Sequence, residues 1–123
     1  MTKHERVYVT TPIYYVNDVP HMGHAYTTVA ADVVARYWRG KLGDNKVFLQ
    51  VGTDEHGQKI ADAAAKAGKE PRAYADELAP RFEETWQKLD VAYDAFIRTT
   101  DATHEAYAQQ FFQRLYDQGD IYK

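Results

Sequence analysis

RVYVTTPIYYVNDVPHMGHAYTTVAADVVARYWRGKLGDNKVFLQVGTDEHG, residues 6–57, is the stretch on which the fold turns. Arg6 to Ile13 alternates and is rich in Val, Thr and Tyr, which reads as a strand. Asn17, Asp18 and Pro20 are turn formers and mark a loop. From Gly23 the spacing becomes helical: Val29, Val33 and Tyr37 recur every four residues as an expected inward stripe, with Ala25 and Ala30 as small packers. Gly40 and Gly43 are stop signals. Lys46 to Val51 is a second short strand, bounded by Gly43-Asp44-Asn45 and Gly52. Strand, loop, helix, strand at this spacing is a βαβ unit, which requires parallel strands and a crossover helix. The expected fold class is therefore α/β, a Rossmann-like doubly wound parallel sheet. Ligands of such sheets bind beyond the carboxyl ends of the strands.

The rest of the chain continues the alternation. Gln58 to Ala67 reads as a helix closed by Gly68. Pro71 suits the first turn of another helix, with Tyr74, Leu78, Phe82, Trp86 and Leu89 on one stripe. Pro80 predicts a kink or a fresh helix start within it. Ala95 to Thr99 reads as a third strand. Asp101 to Gln118 reads as a last helix with Tyr107, Phe111 and Leu115 inward, ended by Gly119. An extended piece, Asp120 to Lys123, follows.

Composition narrows the function classes. With 45% apolar and 27% charged residues the chain belongs with soluble globular proteins. No apolar run approaches the ~18 residues of a membrane span, so no membrane role is expected. Met1 to Arg6 lacks the apolar core of a signal peptide. There is no cysteine, hence neither disulfide nor thiolate metal site, and the expected location is cytoplasmic. The net charge of −3 offers no basic face for gripping nucleic acid, so small ligands are the expected business of this segment.

Two clusters fall where the fold class places ligands. In Pro20-His21-Met22-Gly23-His24, two histidines three residues apart share one side of a helix start. Free N–H groups and the positive dipole end are already there, which makes a phosphate site. Gly23 would let a flat group such as a purine lie against the backbone. The bland alternative is that the histidines only cap the helix, and a lone histidine usually does just that. The second cluster, Gly52-Thr53-Asp54-Glu55-His56-Gly57, follows the second strand. A carboxylate there suits a cation such as an α-ammonium group. Tyr15 offers a hydroxyl and a flat apolar face. Asp54 as a helix cap and Tyr15 as a core aromatic are readings of about equal weight on spacing alone. A metal reading would combine His21, His24, Asp54 and His56, but the His-Glu-x-x-His form is absent and the expectation is no metal site.

His21-Met22-Gly23-His24 resembles the His-Ile-Gly-His signature of class I aminoacyl-tRNA synthetases. Val9 to Asn17 and Gly52 to Gly57 are similar to the methionyl-tRNA synthetase forms of the flanking segments, whereas cysteinyl, leucyl, isoleucyl and valyl enzymes share the histidine motif with different flanks. The resemblance implies methionine–tRNA ligase activity: ATP with Mg2+ activates methionine, which then passes to tRNA(Met). It implies His21 and His24 as catalytic and ATP-binding residues, Gly23 as the adenine-facing ATP-binding position, Asp54 as the ammonium ligand, and Tyr15 and the backbone of Ile13 as the methionine contacts. Ala31-Asp32-Val33 with Arg36-Tyr37 also matches, and Asp32–Arg36 reads as a structural i,i+4 ion pair. Phe96-Ile97-Arg98-Thr99-Thr100 and then His104 are similar to the approach to an inserted connective domain; His104 reads as a surface helix residue. Departures from the family are Gln50-Val51 before Gly-Thr-Asp, and Pro80.

The family's mobile Lys-Met-Ser-Lys-Ser loop has no counterpart here, nor do the connective domain, the later pocket aromatic or the anticodon-binding helices. Residues 1–123 are therefore expected to be the N-terminal part of a Rossmann-like catalytic domain, with roughly 100–123 leading into the connective domain. Zinc is expected only in that connective domain. Such a piece should expose apolar surface and be marginal or associate. Two alternatives accompany the enzyme reading: a non-catalytic remnant that binds ATP or methionine, and a His/Asp metallohydrolase.

Overall fold

The computed structural model describes residues 6–122, so the readings on Met1 to Glu5 and on Lys123 lie outside the described residues. The elements run β1 (Val7–Thr10), β2 (Tyr14–Tyr15), α1 (Met22–Leu42), β3 (Val47–Asp54), α2 (Gln58–Lys66), α3 (Pro71–Lys88), β4 (Ala95–Arg98) and α4 (Ala102–Asp117). Every strand pair is parallel. Central β3 pairs with β1 at Thr10↔Gln50, with β2 at Tyr14↔Thr53, and with β4 at both Gln50↔Ala95 and Thr53↔Arg98. Since β4 occupies one edge of β3 at both places, β1 and β2 must share the other.

The strand expected over Arg6 to Ile13 ends at Thr10, and a second short strand, Tyr14–Tyr15, follows beyond the expected range on the same edge of β3. From Thr10 to Tyr14 the chain advances four residues while β3 advances three, from Gln50 to Thr53. One extra residue beside Pro12 makes a bulge. A one-residue slip swaps the faces of all that follows. Tyr14 consequently points into the core at 8% exposure, while Ile13 and Tyr15 face outward.

Val47, Leu49 and Val51 alternate on one face of β3 and are all buried. They meet Ala35 of α1, Ile60 of α2, and Ala75, Phe82 and Trp86 of α3 in one core cluster. Phe82 and Trp86 are fully buried, each worth roughly 2–3 kcal/mol by area. The opposite face carries Tyr8 and Phe48, half-exposed with ring centroids 5.9 Å apart. Gln50, a departure from the family pattern, accepts a 2.8 Å hydrogen bond from the Tyr8 hydroxyl on that side. Gly52 is required by contact: a Cβ there would stand 2.2 Å from the Ile97 carbonyl oxygen, so only glycine lets β3 and β4 approach at this level.

Several expectations are corrected. Val29, Val33, Tyr37 and Ala30 are exposed; α1 turns Thr28, Asp32 and Ala35 inward instead, with Ala25 half-buried. The face beneath α1 is close and partly polar. Asp32 accepts 2.6 Å from Arg36 Nε, as expected, and also 2.9 Å from the Ala92 N–H. β3 runs on to Asp54, placing Gly52-Thr53-Asp54 on the strand rather than in the loop. α3 passes through Pro80 without a break, and Leu89 lies beyond its end, exposed. Pro80 faces solvent, so its ring crowds no packed neighbour and only one helical hydrogen bond is forgone. On α4, Tyr107 and Phe111 are exposed and Leu115 half-buried, because this helix rests on little of the sheet. Tyr26, Val33 and Tyr37 on α1 and Tyr107, Phe111, Phe112 and Tyr116 on α4 are individually exposed.

Candidate functional site

α1 begins beyond β2, and its cap is built from the histidine pair. His21 is the N-cap residue, with extended backbone (φ −123°, ψ 175°). Its Nδ1 accepts the Gly23 N–H at 3.0 Å, and His24 Nδ1 accepts the His21 N–H at 3.3 Å. This is a capping box made of imidazoles. An imidazole nitrogen that accepts a hydrogen bond carries no proton, so both rings are held as the Nε2–H tautomer. The rings stack with centroids 3.7 Å apart, 22° from parallel. Burial first, and then the neighbouring His21, hold His24 below its ordinary histidine pKa. No acidic residue lies in the first turn of α1, so nothing offsets its positive end. Capping and ligand binding are therefore not rival roles: the Nδ1 atoms cap the helix and leave both Nε2–H groups as donors.

Gly23 has a reason that spacing did not show. A Cβ on it would lie 2.9 Å from His21 Cε1 and 3.1 Å from Nδ1. The glycine clears room for the capping ring. Tyr14, not singled out by the sequence, supports the pair from behind. Its ring is 4.5 Å from the His24 ring and packs on Phe82 and Trp86 at 6.3 and 6.0 Å. Its hydroxyl pairs with Thr28 Oγ1 at 3.0 Å in the core. The available signal was that Thr28 follows His24 by four residues, on one helix face.

The second half of the site sits across β2 and β3. Tyr15 and Asp54 are direct register partners. Because side chains alternate along β2, Tyr14 touches His24 while the next residue stands beside Asp54. The two tyrosines thus meet different clusters, Tyr14 inward at His24 and Tyr15 outward at Asp54. Among the described residues the Asp54 carboxylate takes part in one long bond only, from the His56 N–H at 3.4 Å, and the N-cap of α2 is Gly57 rather than Asp54. Tyr15 has Lys59 Nζ 5.3 Å from its ring centroid. Asp54, His56 and Thr99 line a cleft of about 460 Å³, closed on the other side by His104, Glu105 and Gln109 of α4. His104 is exposed, as expected, and also faces that cleft.

Glu55 does not join Asp54. It is buried, and Arg98 Nε and Nη2 bind its two carboxylate oxygens at 2.8 and 2.9 Å. Burial alone would raise its pKa; the hydrogen bonds from Arg98, Thr100 and Thr53 outweigh this and hold it below the ordinary value. The metal reading finds no support. Among the described residues no group of three or more histidines and carboxylates could hold an ion, both capping histidines have committed Nδ1, and His56 Nε2 donates to the Thr99 carbonyl at 3.2 Å.

The chain is similar to known proteins over almost all of its length. The methionine–tRNA ligase of Thermotoga maritima is 51% identical over 118 residues, which are 96% of this chain and 18% of that protein. The structure of Mycobacterium tuberculosis methionyl-tRNA synthetase in complex with methionyl-adenylate superposes with a TM-score of 0.90 at 43% identity, covering 95% of this chain and 23% of that one. A LeuRS–tRNA–LeuAMS complex from Agrobacterium radiobacter, at 24% identity and TM-score 0.86, shares the fold. The chain thus spans about a fifth of its relatives' length. The family profile of tRNA synthetases class I (M) matches residues 7–123, and the chain belongs to that family.

Proposed function

We propose that this chain supplies the ATP and amino-acid half-site of a methionine–tRNA ligase. The observation that carries it is the imidazole cap. Two stacked rings cap a helix N-terminus that has no acidic residue in its first turn, and because the cap takes their Nδ1 atoms the Nε2–H groups are left as donors. In the reaction a methionine carboxylate oxygen attacks the α-phosphorus of ATP. The bond to the bridging oxygen breaks, and pyrophosphate leaves with the electron pair. No protein group need give or take a proton, so the contribution is charge stabilisation and positioning.

His21 and His24 donate to the phosphate oxygens as negative charge shifts towards the leaving group. Asp54 holds the methionine ammonium group, Tyr15 covers the amino acid, and the outward Ile13 segment lines it. Gly23 serves ATP binding by letting His21 seat. Mg2+ carried by ATP would supply further neutralisation of phosphate charge beside the His21 and His24 donors. Transfer to the 3′ end of tRNA(Met) belongs to the whole protein, as does any zinc in a connective domain. We read residues 1–123 as the N-terminal part of the catalytic domain, with about 100–123 leading into that insertion; the uncovered aromatics of α4 support this. Among the described residues no helix is long and apolar enough to cross a membrane. A cytoplasmic location goes with the proposed role in translation.

The test is ATP–pyrophosphate exchange by the full-length protein carrying this chain, with methionine beside leucine, isoleucine, valine and cysteine. Exchange with methionine alone, abolished by His21→Ala/His24→Ala, is the expected result. Exchange with another amino acid, or exchange indifferent to the histidines, overturns it. The alternative of a binding remnant predicts calorimetric binding of methionine or ATP with no exchange.

A further inference from the structure

Among the described residues the Asp54 carboxylate has only its long bond to the His56 N–H, so its own backbone, rather than a side-chain partner, aims it. That backbone is anchored one residue further on. The Glu55 side chain has no exposure. It accepts from Arg98 Nε and Nη2 at 2.8 and 2.9 Å, from Thr53 Oγ1 at 2.7 Å and from Thr100 Oγ1 at 2.5 Å.

The facing chain is bound in the same way. Thr99 stands between Arg98 and Thr100. Its hydroxyl accepts the Glu55 N–H at 2.8 Å, its carbonyl accepts from His56 Nε2 at 3.2 Å, and its N–H donates to the Thr53 carbonyl at 3.2 Å. Asp54, His56 and Thr99 line the cleft of about 460 Å³, while Glu55, Arg98 and Thr100 are not among its lining residues. Along both segments, residues that face the cleft therefore alternate with residues of a charged bracket behind it. Asp76 of α3 holds Arg98 from the far side at 2.5 Å.

We propose that Glu55, Arg98 and Thr100 are positioning residues for the amino-acid substrate: they fix the wall that carries Asp54 and so set affinity for the ammonium group without touching it. A ligand group aimed by its backbone is only as well placed as that backbone is held. The two-point grip of Arg98 on Glu55 fixes direction as well as distance. This rests on the assignment of Asp54 made above. The phosphate chemistry, assigned to His21 and His24, lies outside the bracket, so KM for methionine should move alone.

The test is pyrophosphate exchange and thermal melting of the full-length protein. Arg98→Lys keeps the charge but replaces the planar fork by one ammonium group, which cannot hold both Glu55 oxygens in fixed directions. KM for methionine should rise about tenfold, the scale of weakening one hydrogen bond to a charged group, with kcat and KM for ATP within about twofold of wild type. Thr100→Val keeps the shape and removes one donor, and should raise the same KM about threefold. Asp32→Ala is the control for general softening: it should melt lower and leave KM for methionine unchanged. An unchanged methionine KM in both bracket variants overturns the proposal. So does an equal rise in Asp32→Ala, or a kcat that falls in step. Where Arg98→Lys fails to fold, Thr100→Val decides alone. Asp54→Asn marks the other failure: if it leaves KM for methionine untouched, the ammonium assignment is wrong and this proposal falls with it.

Discussion

Gly23→Ala separates the two accounts of the histidine cap. The added Cβ would sit 2.9 Å from His21 Cε1 and 3.1 Å from Nδ1, so the capping ring must move. Two stability terms then oppose. Losing the His21 cap on the Gly23 N–H costs about 1 kcal/mol. Replacing glycine by alanine inside a helix returns up to about 1 kcal/mol. The net change in unfolding free energy should be under about 0.5 kcal/mol, within the error of a urea titration. Catalysis has no such compensation. A charge-stabilising donor displaced by about 1 Å costs on the order of 100-fold in kcat. The assay is pyrophosphate exchange by the full-length protein at saturating methionine, with ATP varied. The expected outcome is kcat reduced about 100-fold, KM for ATP within a few-fold of wild type, and an unchanged urea midpoint. Retained kcat would refute the need for a seated His21. A raised KM for ATP at unchanged kcat would show instead that Gly23 serves chiefly as an open surface for the purine.

Asp32→Ala should cost about 2–3 kcal/mol in urea unfolding, because it strands the Ala92 N–H and leaves Arg36 without its buried partner; exchange activity of the folded protein should be unaffected. Phe82→Ala should cost about 3–5 kcal/mol and also lower kcat, since the ring fills the core at 0% exposure and its centroid is 5.6 Å from that of His24; a full loss of stability with kcat intact would detach the core from the site. His24 has its pKa lowered by folding, so the stability it lends is complete above the unfolded value of about 6.5 and is lost as pH falls through the lower folded value. Denaturation midpoints should drop across that window, and less so in His24→Asn. Nitrogen NMR at neutral pH should report the Nε2–H tautomer for both His21 and His24, and an Nδ1–H signature at either would break the capping geometry.

What was legible in the chain was what short-range chemistry controls. The βαβ order, the parallel pairing and the helix start at the histidines follow from alternation, from turn residues and from the need to satisfy free N–H groups. The Asp32–Arg36 pair follows from helical spacing, and the placing of both candidate clusters follows from the rule that puts sites at strand ends. What was misread depended on neighbours distant in sequence. Val29, Val33 and Tyr37 make a more apolar stripe than Thr28, Asp32 and Ala35, yet the second set faces the sheet. Periodicity reports that a helix has faces. It does not report that the ground beneath needs small residues and a carboxylate for the Ala92 N–H. Tyr107 and Phe111 were expected inward for the same reason, although α4 has little sheet to pack on.

The sequence by itself determined the fold class, the family resemblance and the residue types of the site, because these reside in patterns a few residues long. Tertiary structure alone decided which of two adjacent tyrosines supports His24, through the single extra residue opposite β3. It alone decided that Asp54 stays open while Glu55 is consumed by Arg98, a partner 43 residues away. Adjacent residues on a strand point to opposite faces, and only the packed neighbours on each face determine which side chain becomes structure and which remains free for a ligand.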